Sequence, residues 1–340
     1  MYNLFLTILN HSIWQKESSI EYNKVLPEHW EALCLLLQEQ AMTSVCFNSF
    51  QFLPTECRPP RNLYLKCAGI TNYVKVSNKR IEKAISGIYN LLEPIGIKPI
   101  VMKGLAFAMY YPIPEMRMSG DIDLFIPSHY DEVIQFLKDK GYELEYSEKH
   151  YKFYFENVLI ELHHNVINKP FKEIGYYTTE TVEYKNVKFV TFDLQTQALL
   201  IITHAASHQV GPGIGFRHLC DWVLFLKKNG SSLNYSVLNK EINKRHLKLF
   251  LSVFTTVANK LLESPIPVEI VRNESKLVEK LTNDLFTQGD CGQSERKRRM
   301  KSNKLLYIIM YVRRLIKFMP YSIYITMYSL ILKAKEILLG

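Results

Sequence analysis

Residues 98–126 have the sequence KPIVMKGLAFAMYYPIPEMRMSGDIDLFI, in which the spacing of apolar residues changes twice. Lys98–Met102 is a short apolar run that is typical of a buried strand, and a Lys-Gly pair follows it directly. Leu105–Tyr111 has the pattern of the first turns of a helix, whereas Asp121–Ile126 alternates between acidic and apolar residues, as half-buried strands do. The stretch therefore predicts a strand, a tight turn, a short helix and a second strand.

The sequence on both sides of this stretch predicts helices before it, and a sheet followed by more helices after it. Strands are expected where apolar residues alternate or run together, over 142–156, 158–163 and 185–192. Helices are expected where apolar residues recur at helical spacing, over 28–50, 63–92, 128–140, 195–209, 218–228, 236–262 and 275–286. This order predicts an α+β fold, in which a mixed-sheet core is flanked by N-terminal and C-terminal helical regions.

Changes of pattern divide the chain into four expected regions. They are an N-terminal helical region (1–70), a core containing the sheet (71–193), a C-terminal helical domain (194–290) and a basic, apolar tail (291–340). The longest uncharged stretch of the tail has fifteen residues, fewer than the roughly 20 that a membrane-spanning helix needs. We therefore expect an amphipathic tail that packs on the body, or that rests on a membrane surface or a partner.

The charge is distributed unevenly along the chain. The 340 residues include 42 Lys+Arg and 33 Asp+Glu, which gives a formal net charge of +9. Residues 291–340 contain eleven basic and two acidic residues, so they hold the whole excess, and residues 1–290 balance with 31 of each sign. Binding to long nucleic acid needs a basic track along the surface, so the neutral body argues against such a partner. The ordinary shares of apolar (47%) and charged (22%) residues exclude a disordered or fibrous chain.

Two features predict a reducing, cytoplasmic environment. The six cysteines show neither Cys-x-x-Cys spacing nor the density of a secreted disulfide scaffold. Residues 1–14 are apolar but lack the basic region and the small-residue cleavage site of a signal peptide. We therefore expect a cytoplasmic protein, with the tail as the segment that would reach a membrane surface.

Three carboxylates form the strongest candidate for a chemical site. Asp121 and Asp123 lie two positions apart on one predicted strand, so their side chains point to the same face. Glu161 alternates with apolar residues on a later strand and joins the pair if the two strands are neighbours. Clustered carboxylates repel one another unless a cation neutralises them, and oxygen ligands suit Mg²⁺ or Mn²⁺. The alternative is a half-exposed sheet whose polar face is acidic without a site.

The turn before the acidic strand has the character of a phosphate-binding element. Gly104 permits a close backbone approach, the helix after it offers free amide groups, and Lys103 adds a full positive charge. Arg117 and Gly120, just before Asp121, supply a second cation and a second close approach. The pattern thus places cations and amides next to the carboxylates.

Five short motifs resemble an uncharacterised bacterial branch of the nucleotidyltransferase (polymerase-beta-like) superfamily. In that superfamily a strand, a glycine-containing turn and a helix precede an Asp-x-Asp/Glu strand, and a third acid lies on a later strand. The turn is commonly Gly-Gly or Gly-Ser, whereas this chain has Lys-Gly. The motifs, which span roughly residues 90–230, are Lys103-Gly104, Arg117–Leu124, Ile160–His163, His204–His208 and Arg217–Asp221.

The resemblance implies that the core, 71–193, is a nucleotidyltransferase domain that uses two metal ions. Asp121, Asp123 and Glu161 would be catalytic residues that hold Mg²⁺ or Mn²⁺ against a nucleoside triphosphate (NTP), with Glu161 also placed to take a proton. A hydroxyl of a small-molecule or protein acceptor would attack the α-phosphate, and pyrophosphate would leave. The residues expected to bind the nucleotide are Lys103, Gly104, Arg117, Ser119, Gly120 and His163.

Two other functions stay open at the level of sequence. The altered turn is compatible with a catalytically weak nucleotide-binding or protein-interaction module on the same fold. A metal-dependent hydrolase is the other alternative, built on Glu161, His163, His204 and His208. His204 and His208 are spaced i, i+4 on a predicted helix, which fits half of a zinc site as well as a packed interface or a cleft lining.

Overall fold

The computed structural model describes residues 1–16, 27–146, 150–167, 171–210, 213–264, 275–290 and 304–331, apart from 322, 324, 325 and 329. Within these residues a seven-stranded sheet is combined with many helices, so the predicted α+β class is confirmed. The basic run of the tail, 296–301, lies outside the described residues.

The sheet is mixed, as predicted. Its strand order is β3-β4-β5-β2-β1-β7-β6. The β2–β5 and β1–β7 pairs are parallel, and the other neighbours are antiparallel. The strands are β1 (Ile100–Met102), β2 (Asp121–Phe125), β3 (Glu145–Tyr146), β4 (His150–Phe155), β5 (Val158–His163), β6 (Thr179–Tyr184) and β7 (Val187–Phe192).

The helices follow the predicted order, with two breaks. The predicted helix 28–50 is interrupted at Ala41 (φ 55°) and the predicted helix 236–262 at His246 (φ 57°), both in the left-handed region that ends a helix. The helices of the described residues are α1 (Tyr2–Ile13), α2 (Pro27–Glu39), α3 (Thr43–Phe47), α4 (Arg61–Leu92), α5 (Gly104–Ala108), α6 (Tyr130–Asp139), α7 (Leu194–Val210), α8 (Phe216–Asn229), α9 (Tyr235–Lys244), α10 (Lys248–Leu262), α11 (Ser275–Gln288) and α12 (Lys304–Phe318).

Two apolar cores lie on the two faces of the sheet, because successive strand residues point in opposite directions. Ile122 and Leu124 of β2 pack into one core with α4 and α6. Phe125 belongs to the other core, which is continuous with the N-terminal and C-terminal helices. The face of β2 that carries Asp121 and Asp123 therefore points toward the helical body.

The N-terminal and C-terminal helices form one packed unit. Trp14 at the end of α1 donates from its indole Nε1 to the carbonyl of Leu262 at 2.6 Å, and Asn10 donates to the carbonyl of Leu261 at 3.0 Å. Helix α4 is continuous through residues 70 and 71, so the expected boundary there falls inside a helix.

The described part of the tail packs on the helical body. Leu315 and Phe318 of α12 are buried, and the hydroxyl of Tyr321 donates to the carbonyl of Leu277 on α11 at 2.9 Å. Arg314 pairs with the carboxylate of Asp284 at 2.8 Å. No helix within the described residues is long and apolar enough to cross a bilayer.

Candidate active site

The register of β2 and β5 brings the predicted carboxylates together. The strands are parallel neighbours, and Asp123 stands directly beside Glu161. Asp121 lies two residues earlier on the same face of β2, where it is half-buried like Glu161, while Asp123 is buried. All three border a cavity of about 300 Å³ between the sheet and the helical body.

Asp123 is held by two cationic or hydrogen-bonding partners. Lys103 Nζ donates to its Oδ1 at 2.8 Å, and His163 Nε2 lies 2.9 Å from the same oxygen. Burial opposes ionisation of Asp123, but the charge of Lys103 and the hydrogen bond from His163 outweigh it and hold the pKa well below its usual range. Both contacts end on Oδ1, and no hydrogen bond to the second oxygen is present among the described residues.

Two side chains of the neighbouring strand β4 contact Glu161. The antiparallel register of β4 and β5 places His150 beside His163 and Lys152 beside Glu161. Lys152 Nζ lies 2.8 Å from Oε1 of Glu161, and His150 Nε2 lies 3.2 Å from Oε2. Burial again opposes ionisation, but the nearby donors of His150, His163 and Lys152 lower the pKa of Glu161 well below its ordinary value.

Asp121, unlike Asp123 and Glu161, has no cationic or hydrogen-bonding partner close to its carboxylate among the described residues. No hydrogen bond to its side chain is present among the described residues. Burial, followed by the charges of Asp123 and Glu161, raises its pKa to about 6. A divalent cation between Asp121 and the second oxygen of Asp123 would relieve this repulsion, so the donor set fits an oxygen-seeking ion such as Mg²⁺.

The turn before α5 has an unusual backbone. Lys103 has φ 48° and ψ −142°, a conformation that favours glycine, and Gly104 follows with φ 37°. The common superfamily turn has glycine where this chain has Lys103. Here the side chain of Lys103 is anchored on Asp123; burial opposes the charge of Lys103, but the charge and hydrogen bond of Asp123 outweigh it and raise the pKa of Lys103.

The guanidinium of Arg117 has a buried counter-charge beside the cavity. Its side chain is buried and forms two hydrogen bonds with the carboxylate of Asp221, at 2.8 and 2.7 Å. Its Nη1 donates to the carbonyl of Gly104 at 3.2 Å and to Ser119 Oγ at 3.3 Å. Arg117 borders the cavity, but its charge is balanced by Asp221, so it braces the turn rather than supplying an uncompensated cation.

Sequence reasoning did not assign several residues that complete the site. His150 and Lys152 reach Glu161 only because β4 pairs with β5, and the strand pattern gave no signal for their roles. Arg217 on α8 borders the cavity and pairs with Asp290 at 2.9 Å. The resemblance included Arg217 in a motif, which was the only available signal for it.

The histidines of the hydrolase hypothesis fall into two groups. Glu161 and His163 cluster with His150, whereas His204 and His208 on α7 cluster with His218 on α8. His204 and His208 border the same cavity as the carboxylates, on its helical side. Glu161, His163, His204 and His208 therefore do not form a single ligand cluster.

Comparison with known proteins identifies the family. The family model described as "Uncharacterised nucleotidyltransferase" matches residues 27–263, which is more than half of the chain. The chain therefore belongs to this nucleotidyltransferase family. No curated protein matches it.

Two solved structures are similar to parts of the chain. The solution structure of the antibiotic-resistance factor ANT(2'')-Ia has 13% sequence identity and a TM-score of 0.37, and the match covers 48% of this chain and 92% of that one. An antigenic nucleotidyltransferase-like protein from Paracoccidioides brasiliensis has 16% identity and a TM-score of 0.33, covering 54% of this chain and 93% of that one.

Proposed function

We propose that this family member transfers a nucleoside monophosphate from an NTP to a hydroxyl of a small-molecule or protein acceptor, with release of pyrophosphate and dependence on Mg²⁺. The observation that carries the proposal is the parallel register of β2 and β5. It places Asp121, Asp123 and Glu161 on one wall of a cavity, beside the turn at Lys103 and Gly104.

The carboxylates are assigned to cation binding. Asp121 and the Oδ2 atom of Asp123 would hold Mg²⁺. Glu161 completes the group of three carboxylates on this side of the sheet, which we call the acidic face. When bound, the ion supplies positive charge against the phosphates and lowers the pKa of the acceptor hydroxyl. His163 keeps Asp123 oriented through its hydrogen bond to Oδ1.

Glu161 is assigned an electrostatic role instead of proton transfer. A general base works best when its pKa is near the operating pH. The nearby donors of His150 and Lys152 hold the pKa of Glu161 far below that range. Glu161 therefore stays ionised and contributes negative charge to the cation site.

The cations around the cavity are assigned two roles. Lys103 lies between the acidic face and the turn, where it would contact a phosphate oxygen while remaining close to Asp123. Arg117 is a positioning residue, since its contacts fix the carbonyl of Gly104 and the hydroxyl of Ser119. Arg217 borders the cavity from α8 and would meet the anionic substrate from the helical side.

Label transfer from NTPs tests the proposal. The protein is incubated with each α-labelled NTP, Mg²⁺ and cell extract, and both labelled acceptor and pyrophosphate are measured. Wild type is expected to transfer label, chelation of Mg²⁺ to stop it, and Asp123→Asn to abolish it. Asp131→Asn, at an exposed carboxylate on α6, is the matched control and keeps the activity.

The outcome also separates the alternatives. Absence of label transfer, pyrophosphate release and NTP binding in wild type would overturn the proposal. NTP binding without transfer would support the catalytically weak module. A hydrolytic activity that survives Asp121→Ala would support the metal-dependent hydrolase.

A further inference from the structure

Three histidines meet where α7 packs against α8. His204 and His208 lie one turn apart on α7, and His218 approaches them from the first turns of α8. The ring centroids are 4.3 Å apart for His204 and His208, 5.5 Å for His204 and His218, and 5.1 Å for His208 and His218. One ring nitrogen of each histidine lies within 4.8 Å of the other two.

The environment keeps the α7 histidines in the form that binds metals. Burial, followed by the neighbouring positive charges, holds the pKa values of His204 and His208 well below their ordinary value. The uncharged imidazole is the form that metal ligation requires.

His218 has a carboxylate behind it. Its Nδ1 lies 3.3 Å from Asp290 Oδ1 and 3.3 Å from the backbone N of Gly215. The backbone N–H of Gly215 donates to Nδ1, and metal ligation through Nε2 would instead place the ring proton on Nδ1, facing the carboxylate of Asp290. Nε2 is buried, in a side chain that is 3% exposed, and has no hydrogen-bond partner among the described residues. A carboxylate behind a histidine whose other nitrogen lacks a partner is the arrangement that orients metal-ligating histidines.

We propose that His204, His208 and His218 bind a transition-metal ion of the Zn²⁺ class, at a site distinct from the acidic face. Three imidazole nitrogens suit Zn²⁺, whereas the oxygens of Asp121 and Asp123 suit Mg²⁺. The Zn–N distance of about 2.0–2.1 Å requires the three ring nitrogens, which lie within 4.8 Å of one another, to move closer on binding.

The position of the site determines what completes it. His204 and His208 border the cavity that also contains the carboxylates. Zinc sites with three protein ligands keep the fourth position for water or a substrate oxygen. Because His204 and His208 border the cavity, a bound ion would be accessible from it, and an open fourth position would take water or an anionic or hydroxyl oxygen of a substrate.

Zinc titration of the tag-free, full-length protein tests the proposal without any nucleotide. Zn²⁺ affinity is measured by competition with a chromophoric chelator in the presence of excess Mg²⁺, and Co²⁺ substitution reports the geometry through its visible spectrum. We expect one equivalent of Zn²⁺ that Mg²⁺ does not displace. His204→Gln and His208→Gln should weaken binding by more than the roughly 10–100-fold that loss of an outer partner costs, and Asp290→Asn by about 10–100-fold.

His163→Gln and His150→Gln are the matched controls, because these histidines belong to the other cluster. Circular dichroism checks that each variant folds. Because His204 and His208 are only half-buried, their variants test the proposal even if a variant of the buried His218 does not fold. The proposal is overturned if wild type binds no stoichiometric Zn²⁺, if Mg²⁺ displaces it, or if His163→Gln abolishes binding that His204→Gln retains. These results do not depend on nucleotidyl transfer, so either proposal can fail alone.

Discussion

Lys103 occupies a backbone position that usually needs glycine, with φ 48° and ψ −142°. A non-glycine residue in such a region stores about 1–3 kcal/mol of strain. Lys103→Gly and Lys103→Ala both remove the ion pair with Asp123, and they differ only by the Cβ atom. We expect the glycine variant to be the more stable of the two by about 1–3 kcal/mol in urea unfolding. An alanine variant of equal or higher stability would show that the turn is not strained.

The buried pair of Arg117 and Asp221 should dominate the stability of the region around the turn. Asp221→Asn leaves the guanidinium of Arg117 buried without a counter-charge, and we expect a loss of about 3–5 kcal/mol. Burial opposes ionisation of Asp221, but Arg117 outweighs it, so the pKa of this carboxyl is lower in the folded chain. The stabilisation is therefore complete above the unfolded pKa, roughly pH 4, and is lost as the pH falls through the folded value.

Urea unfolding between pH 7 and pH 2 measures this effect. The difference in unfolding free energy between wild type and Asp221→Asn should be largest at neutral pH and shrink in acid, while the exposed control Asp131→Asn stays close to wild type throughout. A difference that is small at pH 7, or that does not change with pH, would contradict the assignment.

At the scale of single residues, the sequence predicted which face of β2 carries Asp121 and Asp123, but it did not predict which side chains contact the site. The period of two in β2 is a local property, so Asp121 and Asp123 were assigned to one face correctly. Lys152 lies on β4, so its contact with Glu161 depends on strand pairing. The partner of Arg117, Asp221, lies more than 100 positions away, and no local pattern could indicate that pair.

The junction of α2, α8 and α11 depends on a glycine at the element scale. A Cβ added at Gly215, just before α8, would lie 2.7 Å from the backbone Cα of Asp290 and 2.8 Å from Gln40 Oε1. Gly215→Ala should therefore destabilise the protein by roughly 1–3 kcal/mol. Gly69→Ala is the matched comparison, because a Cβ there meets nothing within 4 Å in the interior of α4, and we expect a gain of about 1 kcal/mol. Thermal unfolding of both variants checks the opposite signs.

The strand that the sequence analysis missed, β6, lacks the pattern of apolar residues that predicts a strand. Strand β6 is mostly exposed and consists largely of Thr and Glu residues, so it has no apolar alternation, and only its pairing with β7 makes it a strand. The breaks occur at Ala41 and His246, which adopt a left-handed backbone conformation that the helical spacing of apolar residues did not indicate. By contrast, β2 and β5 have a clear alternating pattern and α7 is a long, largely apolar segment, and all three were predicted within one or two residues.

At the scale of the whole molecule the tail is part of the folded body where the structure describes it. Leu315 is fully buried, whereas its neighbour Ile316 is 58% exposed. Leu315→Ala should cost about 2–5 kcal/mol of stability, and Ile316→Ala should stay within about 0.5 kcal/mol of wild type. Chemical unfolding of the two variants distinguishes a docked helix from a free one. Equal, small effects would show that α12 is not docked.

The apolar core of the helical body joins residues that are far apart in the sequence. The expected regions 1–70 and 194–290 share one apolar core, and contacts such as Trp14 with Leu262 join residues at opposite ends of the chain. Local composition does not report such contacts. The cavity lies between this helical unit and the sheet, so its helical wall, including Arg217, His204 and His208, could not be assembled from sequence alone.

Calorimetric titration with NTPs tests the central claim without knowledge of the acceptor. Each of the four NTPs is titrated into wild type, with and without Mg²⁺, and into the double variant Asp121→Asn/Asp123→Asn. We predict that at least one NTP binds wild type only when Mg²⁺ is present, and that the double variant loses this Mg²⁺-dependent binding while it remains folded. NTP binding that is absent in wild type, or that is unchanged by the loss of both carboxylates, would contradict the assignment of the acidic face.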